Sequence, residues 1–96
     1  MIWAKKSLGQ NFLVSDSARR AIIEAARLGA GETALEIGPG EGFLTEALLQ
    51  TGARVIAVEK DDRLIEFLSG KFRNEITTKK LILIHDDILN LLEAST

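Results

Sequence analysis

Three short segments hold residues whose types and spacing suit chemistry. The first is Glu36-Ile37-Gly38-Pro39-Gly40-Glu41-Gly42, which sets three glycines at alternate positions behind a short apolar run. Glycines in a turn let the chain bend sharply and let a ligand approach the main chain with no Cβ in the way. A helix that starts just after such a turn also offers unpaired N–H groups. The second segment ends at Glu59, 19 residues beyond Gly40, where another apolar run closes. A carboxylate at that place in a nucleotide-binding α/β unit can accept both hydroxyls of a ribose. The competing reading for Glu59 is a cap, or an ion pair with its neighbour Lys60. The third segment is Asp86-Asp87, which follows a further apolar run and so falls at the same carboxyl edge of a sheet. One of the pair can accept from an adenine amino group, and the alternative is a loop start with solvated acids. Adjacent side chains on an extended segment diverge, which argues against a metal or acid–base dyad there.

Regular elements must position these residues. Ser15 or Asp16 reads as an N-cap, with a helix to about Leu28 whose apolar positions include Ala18, Ala21, Ile22 and Ala25. Thr33–Ile37 reads as a strand, followed by a helix from near Gly42 that stops at Gly52. Arg54–Val58 is a second strand, apolar almost throughout, as expected when both sheet faces are covered. Asp61 or Asp62 caps a helix to about Phe72, residues 74–80 form a polar connection, and Leu81–Ile84 is a third strand. Ile88–Leu92 adds a short helical turn, and residues 1–14 look irregular. Strand, helix, strand, helix, strand gives two right-handed crossover units. The fold class is therefore α/β, a Rossmann-like half-fold whose three-stranded parallel sheet has order 3-2-1 and flanking helices.

Composition narrows the function classes. Ninety-six residues, 46 % hydrophobic and 27 % charged, describe one globular domain. There is no cysteine and a single histidine, so thiolate and histidine-rich metal centres are excluded and no metal is expected. No secretory pattern is present, and no apolar stretch approaches the ~20 residues that span a bilayer. The expectation is a cytoplasmic protein with no membrane partner. A net charge of −2 argues against a generic polyanion binder. Residues 1–27 nevertheless carry Lys5, Lys6, Arg19, Arg20 and Arg27 against Asp16 and Glu24. That surplus can touch phosphate, and a solvated helix face is the plainer reading.

Two motifs taken together are specific. Ser7-Leu8-Gly9-Gln10-Asn11-Phe12-Leu13, followed by Glu36-Ile37-Gly38-Pro39-Gly40-Glu41-Gly42-Phe43-Leu44-Thr45, resembles the ribosomal RNA adenine N6-dimethyltransferases of the KsgA type. The resemblance covers residues 4–92 and implies S-adenosylmethionine as cofactor. It implies that Asn11 and Leu13 contact the methionine and adjacent parts of the cofactor, and that Gly38 lines the methionine side. Glu59 would bind the ribose hydroxyls and Asp87 the adenine amino group. Gly40 and Lys60 complete the cofactor-binding set with Asp86, which stands where many members have glycine.

One departure matters for activity. The family places an Asn-x-Pro-Tyr-type motif after a fourth strand to hold the target adenine, and the only proline here is Pro39. Residues 1–96 are thus expected to be a single N-terminal cofactor-binding subdomain, with residues 1–14 carrying the Gln-Asn-Phe-Leu element. No catalytic residue is assigned, and the chain alone is not expected to methylate, because transfer depends on positioning the base. Ribosomal RNA is the partner implied for the parent enzyme. A nicotinamide dinucleotide half-domain is the alternative, opposed by a Gly-x-Gly-x-Gly spacing in place of Gly-x-Gly-x-x-Gly. A non-catalytic folding or RNA-binding module is a third reading. Finally, Ala34-Leu35-Glu36-Ile37 is expected to be a bare sheet edge, a type of edge that seeks partners. A homodimer through that edge, or by element exchange, is the expectation. A monomer with Trp3–Leu13 folded over the edge is its competitor.

Overall fold

A computed structural model describes Ile2–Lys5 and residues 29–94. The expected helix between Ser15 and Leu28 lies outside the described residues. Four strands form one parallel sheet in the order β1-β2-β3-β4: β1 (Ile2–Lys5), β2 (Thr33–Ile37), β3 (Arg54–Glu59) and β4 (Leu81–His85). Helix α1 (Phe43–Gln50) links β2 to β3, while α2 (Asp62–Lys71) and the short α3 (Arg73–Thr77) link β3 to β4. Helix α4 (Ile88–Ala94) follows β4.

The three strands expected from sequence are present, parallel, and in the expected spatial order. Parallel pairing fixes their register in rows, so that Ala34, Val55 and Leu81 stand side by side, as do Glu36, Ala57 and Leu83. Side chains alternate between faces along a strand, and the first row is fully buried. Leu44 and Leu48 of α1, Leu68 of α2, and Phe72 close over it in one apolar cluster with Ala57. The opposite face, set by Leu35, Ile37, Ile56, Val58, Ile82 and Ile84, is apolar as well. Two apolar faces explain why β3 reads as an unbroken hydrophobic run.

Three expectations need correction. Residues 1–14 are not irregular throughout, because Ile2–Lys5 is a strand. It pairs parallel with β2, Ile2 beside Ala34 and Lys5 beside Ile37. The edge of β2 is therefore not bare, since β1 satisfies its main-chain groups, and an edge-to-edge dimer through β2 loses its premise. Residues 74–80 are not all connection either. Arg73–Thr77 makes one helical turn, with no buried residue, held by Ile76 N donating to Phe72 O at 2.9 Å.

Helix α2 starts as sequence anticipated. Asp61 is its N-cap, in extended conformation, and its Oδ1 accepts from Arg63 N at 2.8 Å and Leu64 N at 3.4 Å. Two orphan donors of the first turn are thereby satisfied. Asp61→Ala is expected to cost about 1 kcal/mol, the usual loss for an N-cap. Thermal unfolding checks it, with a midpoint lowered by roughly 4–8 °C for a domain of this size.

Candidate functional site

The carboxyl ends of β2, β3 and β4 bring together the glycine turn, Glu59 and the Asp86-Asp87 pair. Gly38 N donates to Val58 O at 2.9 Å and so carries the sheet one residue past β2. The chain then turns through Gly38, Gly40 and Gly42, all at positive φ (68°, 61° and 88°). Gly42 N closes the turn on Pro39 O at 3.0 Å, and Glu46 N returns to Gly42 O at 2.9 Å as α1 begins. The first and last glycines serve different needs. A Cβ on Gly38 would meet nothing within 4 Å, so space lies open beside it. A Cβ on Gly42 would stand 2.6 Å from Phe72 Cε2.

Glu59 sits under this turn and is only 6 % exposed. Its Oε1 accepts from Gly40 N at 3.4 Å and its Oε2 from Asp61 N at 3.0 Å. A carboxylate has about four acceptor sites, so one further hydrogen bond to each oxygen is available, the number two ribose hydroxyls need. Lys60 is exposed and makes no ion pair with Glu59 among the described residues, which removes the ion-pair reading.

Asp86 N donates to Glu59 O at 3.0 Å, which ties the third segment to the second. Asp86 Oδ1 accepts from Asp87 N at 2.7 Å and from Asn90 Nδ2 at 3.2 Å. Asp87 Oδ1 accepts from Leu89 N at 2.9 Å in the first turn of α4. Both acids thus organise the start of α4 through one oxygen, and the Oδ2 of each has no partner among the described residues. His85 Nε2 lies 2.8 Å from Asp62 Oδ1, joining the end of β4 to the start of α2. Asn11 and Leu13 lie outside the described residues. No group of three or more His, Asp or Glu able to hold a metal occurs among the described residues.

Two features escaped the sequence reading. Glu36 is 2 % exposed, on the same sheet face as Glu59, and Thr45 Oγ1 of α1 donates to its Oε1. The available signal is a charged residue within the otherwise apolar run Ala34–Ile37, since acids are rarely buried without a partner. The other is Lys71, whose Nζ donates to Glu41 O in the glycine turn at 2.9 Å.

A parallel sheet with a glycine turn after one strand and an acid at the end of the next defines a nucleotide-cofactor fold of the Rossmann-like class. Known proteins narrow this. The sequence profile described as Ribosomal RNA adenine dimethylase matches residues 1–94, and the chain belongs to that family. Ribosomal RNA small subunit methyltransferase A of Caulobacter vibrioides is 44 % identical over 88 residues, covering 92 % of this chain and 33 % of the relative. The protein of the same name from Dehalococcoides mccartyi is 48 % identical over 86 residues, covering 90 % and 28 %. The chain therefore spans about a third or less of these curated relatives. Among solved structures, the 23S rRNA methyltransferase ErmE superposes with a TM-score of 0.70 at 33 % identity, covering 82 % of this chain and 31 % of that one. Coclaurine N-methyltransferase, solved with N-methylheliamine and SAH, superposes with a TM-score of 0.60 at 25 % identity, covering 86 % and 25 %. Among the described residues no helix is long and apolar enough to cross a membrane.

Proposed function

We propose that residues 1–96 form the S-adenosylmethionine-binding subdomain of a ribosomal RNA adenine N6-dimethyltransferase of the cytoplasm. The observation that carries this is Glu59, held under the glycine turn by two main-chain donors with one acceptor site still available on each oxygen. In this reading Glu59 takes the ribose hydroxyls, the open side of Gly38 receives the methionine half, and Gly40 ties the turn to Glu59. Asp87 Oδ2 accepts from the adenine amino group while Oδ1 keeps α4 in place. Asp86 shapes the same loop, Lys60 stands at the rim, and Asn11 and Leu13 belong to the methionine side by family resemblance. The donor supplies an electrophilic methyl group on a sulfonium centre. These residues bind and orient it, and delivery to an adenine of ribosomal RNA is proposed for the whole protein. A homodimer is retained only as exchange of β1 between copies, which would preserve the β1–β2 register.

Calorimetric titration of the 96-residue chain with S-adenosylhomocysteine, and separately with NAD, tests the reading. Binding of the first at micromolar to millimolar concentration, with none of the second, is the expected result. Binding of NAD alone, or of neither, would overturn it in favour of a nicotinamide site or a non-catalytic module.

A further inference from the structure

Lys71, in the last turn of α2, has no part in the site as read from sequence, yet its surroundings are built around its charge. Its Nζ lies 4.9 Å from the ring centre of Phe43, 5.3 Å from Phe72 and 5.9 Å from Phe67, all within the range in which a cation is attracted to an aromatic face. Only 26 % of the side chain remains accessible. Glu46 Oε2, one helical turn beyond the start of α1, stands 3.5 Å away. The directed contact is the hydrogen bond to Glu41 O.

That bond fixes one peptide plane of the glycine turn from both ends. The Glu41 carbonyl is held by Lys71, and the N–H of the same peptide, on Gly42, is held by Pro39 O at 3.0 Å. A glycine-rich turn has many accessible conformations, and an external clamp is what selects one of them. Phe72, the next residue in the chain, fills the space behind Gly42. The end of α2 thus braces the turn at Glu41 and Gly42, whereas Glu59 holds it at Gly40. With that peptide fixed, the Glu41 N–H has no acceptor among the described residues and stays available to a ligand.

We propose that Lys71 is a positioning residue of the cofactor site, a latch that holds the Gly38–Gly42 turn in the conformation that receives the methionine half of S-adenosylmethionine. The proposal rests on the reading of this turn as the cofactor site. The latch acts on the turn and not on the ribose acceptor, because Glu59 is held separately by Gly40 N and Asp61 N.

The test compares the parent chain with Lys71→Met, which keeps an apolar stem against the rings, and with Lys71→Arg, which keeps the donor and the charge. Nuclear magnetic resonance titrations use S-adenosylhomocysteine and plain adenosine, and amide exchange is followed without ligand. Lys71→Met is expected to weaken S-adenosylhomocysteine about tenfold, as for the loss of one charge-assisted hydrogen bond in a binding site. Adenosine, which lacks the methionine half, should change less than about twofold by the same arithmetic. Exchange at the Gly42 amide should rise several-fold while Val55 and Ala57 in β3 keep their rates, and Lys71→Arg should restore both affinity and protection. Equal loss for both ligands, a rise in exchange shared by Val55, or an unchanged Gly42 amide would each overturn the latch. If the parent chain binds no S-adenosylhomocysteine, the cofactor reading fails, and exchange at Gly42 still decides whether Lys71 holds the turn.

Discussion

Glu59→Ala is expected to lower the affinity for S-adenosylhomocysteine by roughly ten- to a hundredfold or more, from the loss of charge-assisted hydrogen bonds of about 1.5–3 kcal/mol. Two losses add in this substitution. The ribose hydroxyls lose their acceptor, and Gly40 N and Asp61 N lose the partner that ties the glycine turn to the start of α2. The second loss also acts on the free protein, because an unsatisfied buried donor costs about 1–3 kcal/mol. Glu59→Gln separates the two. An amide has one acceptor oxygen, so it can serve Gly40 N or Asp61 N but turns its NH2 toward the other donor. Its volume still fills the site, so stability should fall less than in Glu59→Ala while binding remains weak. Calorimetry for affinity and thermal unfolding for stability give the two readouts. An alanine variant that binds like the parent chain would show that the ribose hydroxyls find another acceptor.

The route from residues to fold was plain where the chain has period and length. Val55-Ile56-Ala57-Val58 lies between two neighbouring strands, and its unbroken apolar character states this directly. Leu44, Leu48, Leu64 and Leu68 recur at helical spacing and all join the core or pack against it. Strand β1 was not legible for a physical reason. Four residues carry no usable period, and the pairing of Ile2 with Ala34 joins segments 32 positions apart, which no local pattern encodes. The same limit hid α3, a single turn without a buried side chain.

Within the site, the glycine turn and Glu59 were visible because both depend on residue type at a fixed place in a strand–turn–helix unit. Glu36 is a subtler case: an acid in the run Ala34–Ile37 signals a buried partner, but not which one, and the partner is Thr45 nine residues on. Lys71 meets Glu41 across 30 residues, so its contact appears only once α2 is laid beside the turn. Asp86 and Asp87 illustrate a different limit. Sequence sets a loop start with solvated acids against ligand binding as alternatives, and the geometry adds a role neither named, because Asp87 caps α4 with one oxygen and keeps the other.

Gly42→Ala is expected to be far more destabilising than the same change at Gly38. Two independent costs fall on the same atom. At φ 88° and ψ 21° the backbone is left-handed, which costs a residue with a Cβ roughly 1–2 kcal/mol. The added carbon would also stand 2.6 and 2.9 Å from Phe72 Cε2 and Cζ and 3.1 Å from Leu68 Cδ2. Both neighbours belong to the buried core, at 4 % and 1 % exposure, so neither can move into solvent, and overpacking of this kind costs about 1–3 kcal/mol. The sum, about 2–5 kcal/mol, is a large part of the 5–15 kcal/mol that holds a typical domain together. Gly38→Ala supplies the control, because its φ of 68° imposes the same backbone penalty while nothing lies within 4 Å of the new carbon. It should therefore show only about 1–2 kcal/mol of strain. The gap between the two unfolding midpoints measures the packing of Phe72 behind the turn. Adding Phe72→Leu to Gly42→Ala should narrow that gap, since removing the ring removes the clash while the backbone strain remains. Equal midpoints for Gly38→Ala and Gly42→Ala would mean that the ring does not press on Gly42, and the brace at the end of α2 would then rest on Lys71 alone.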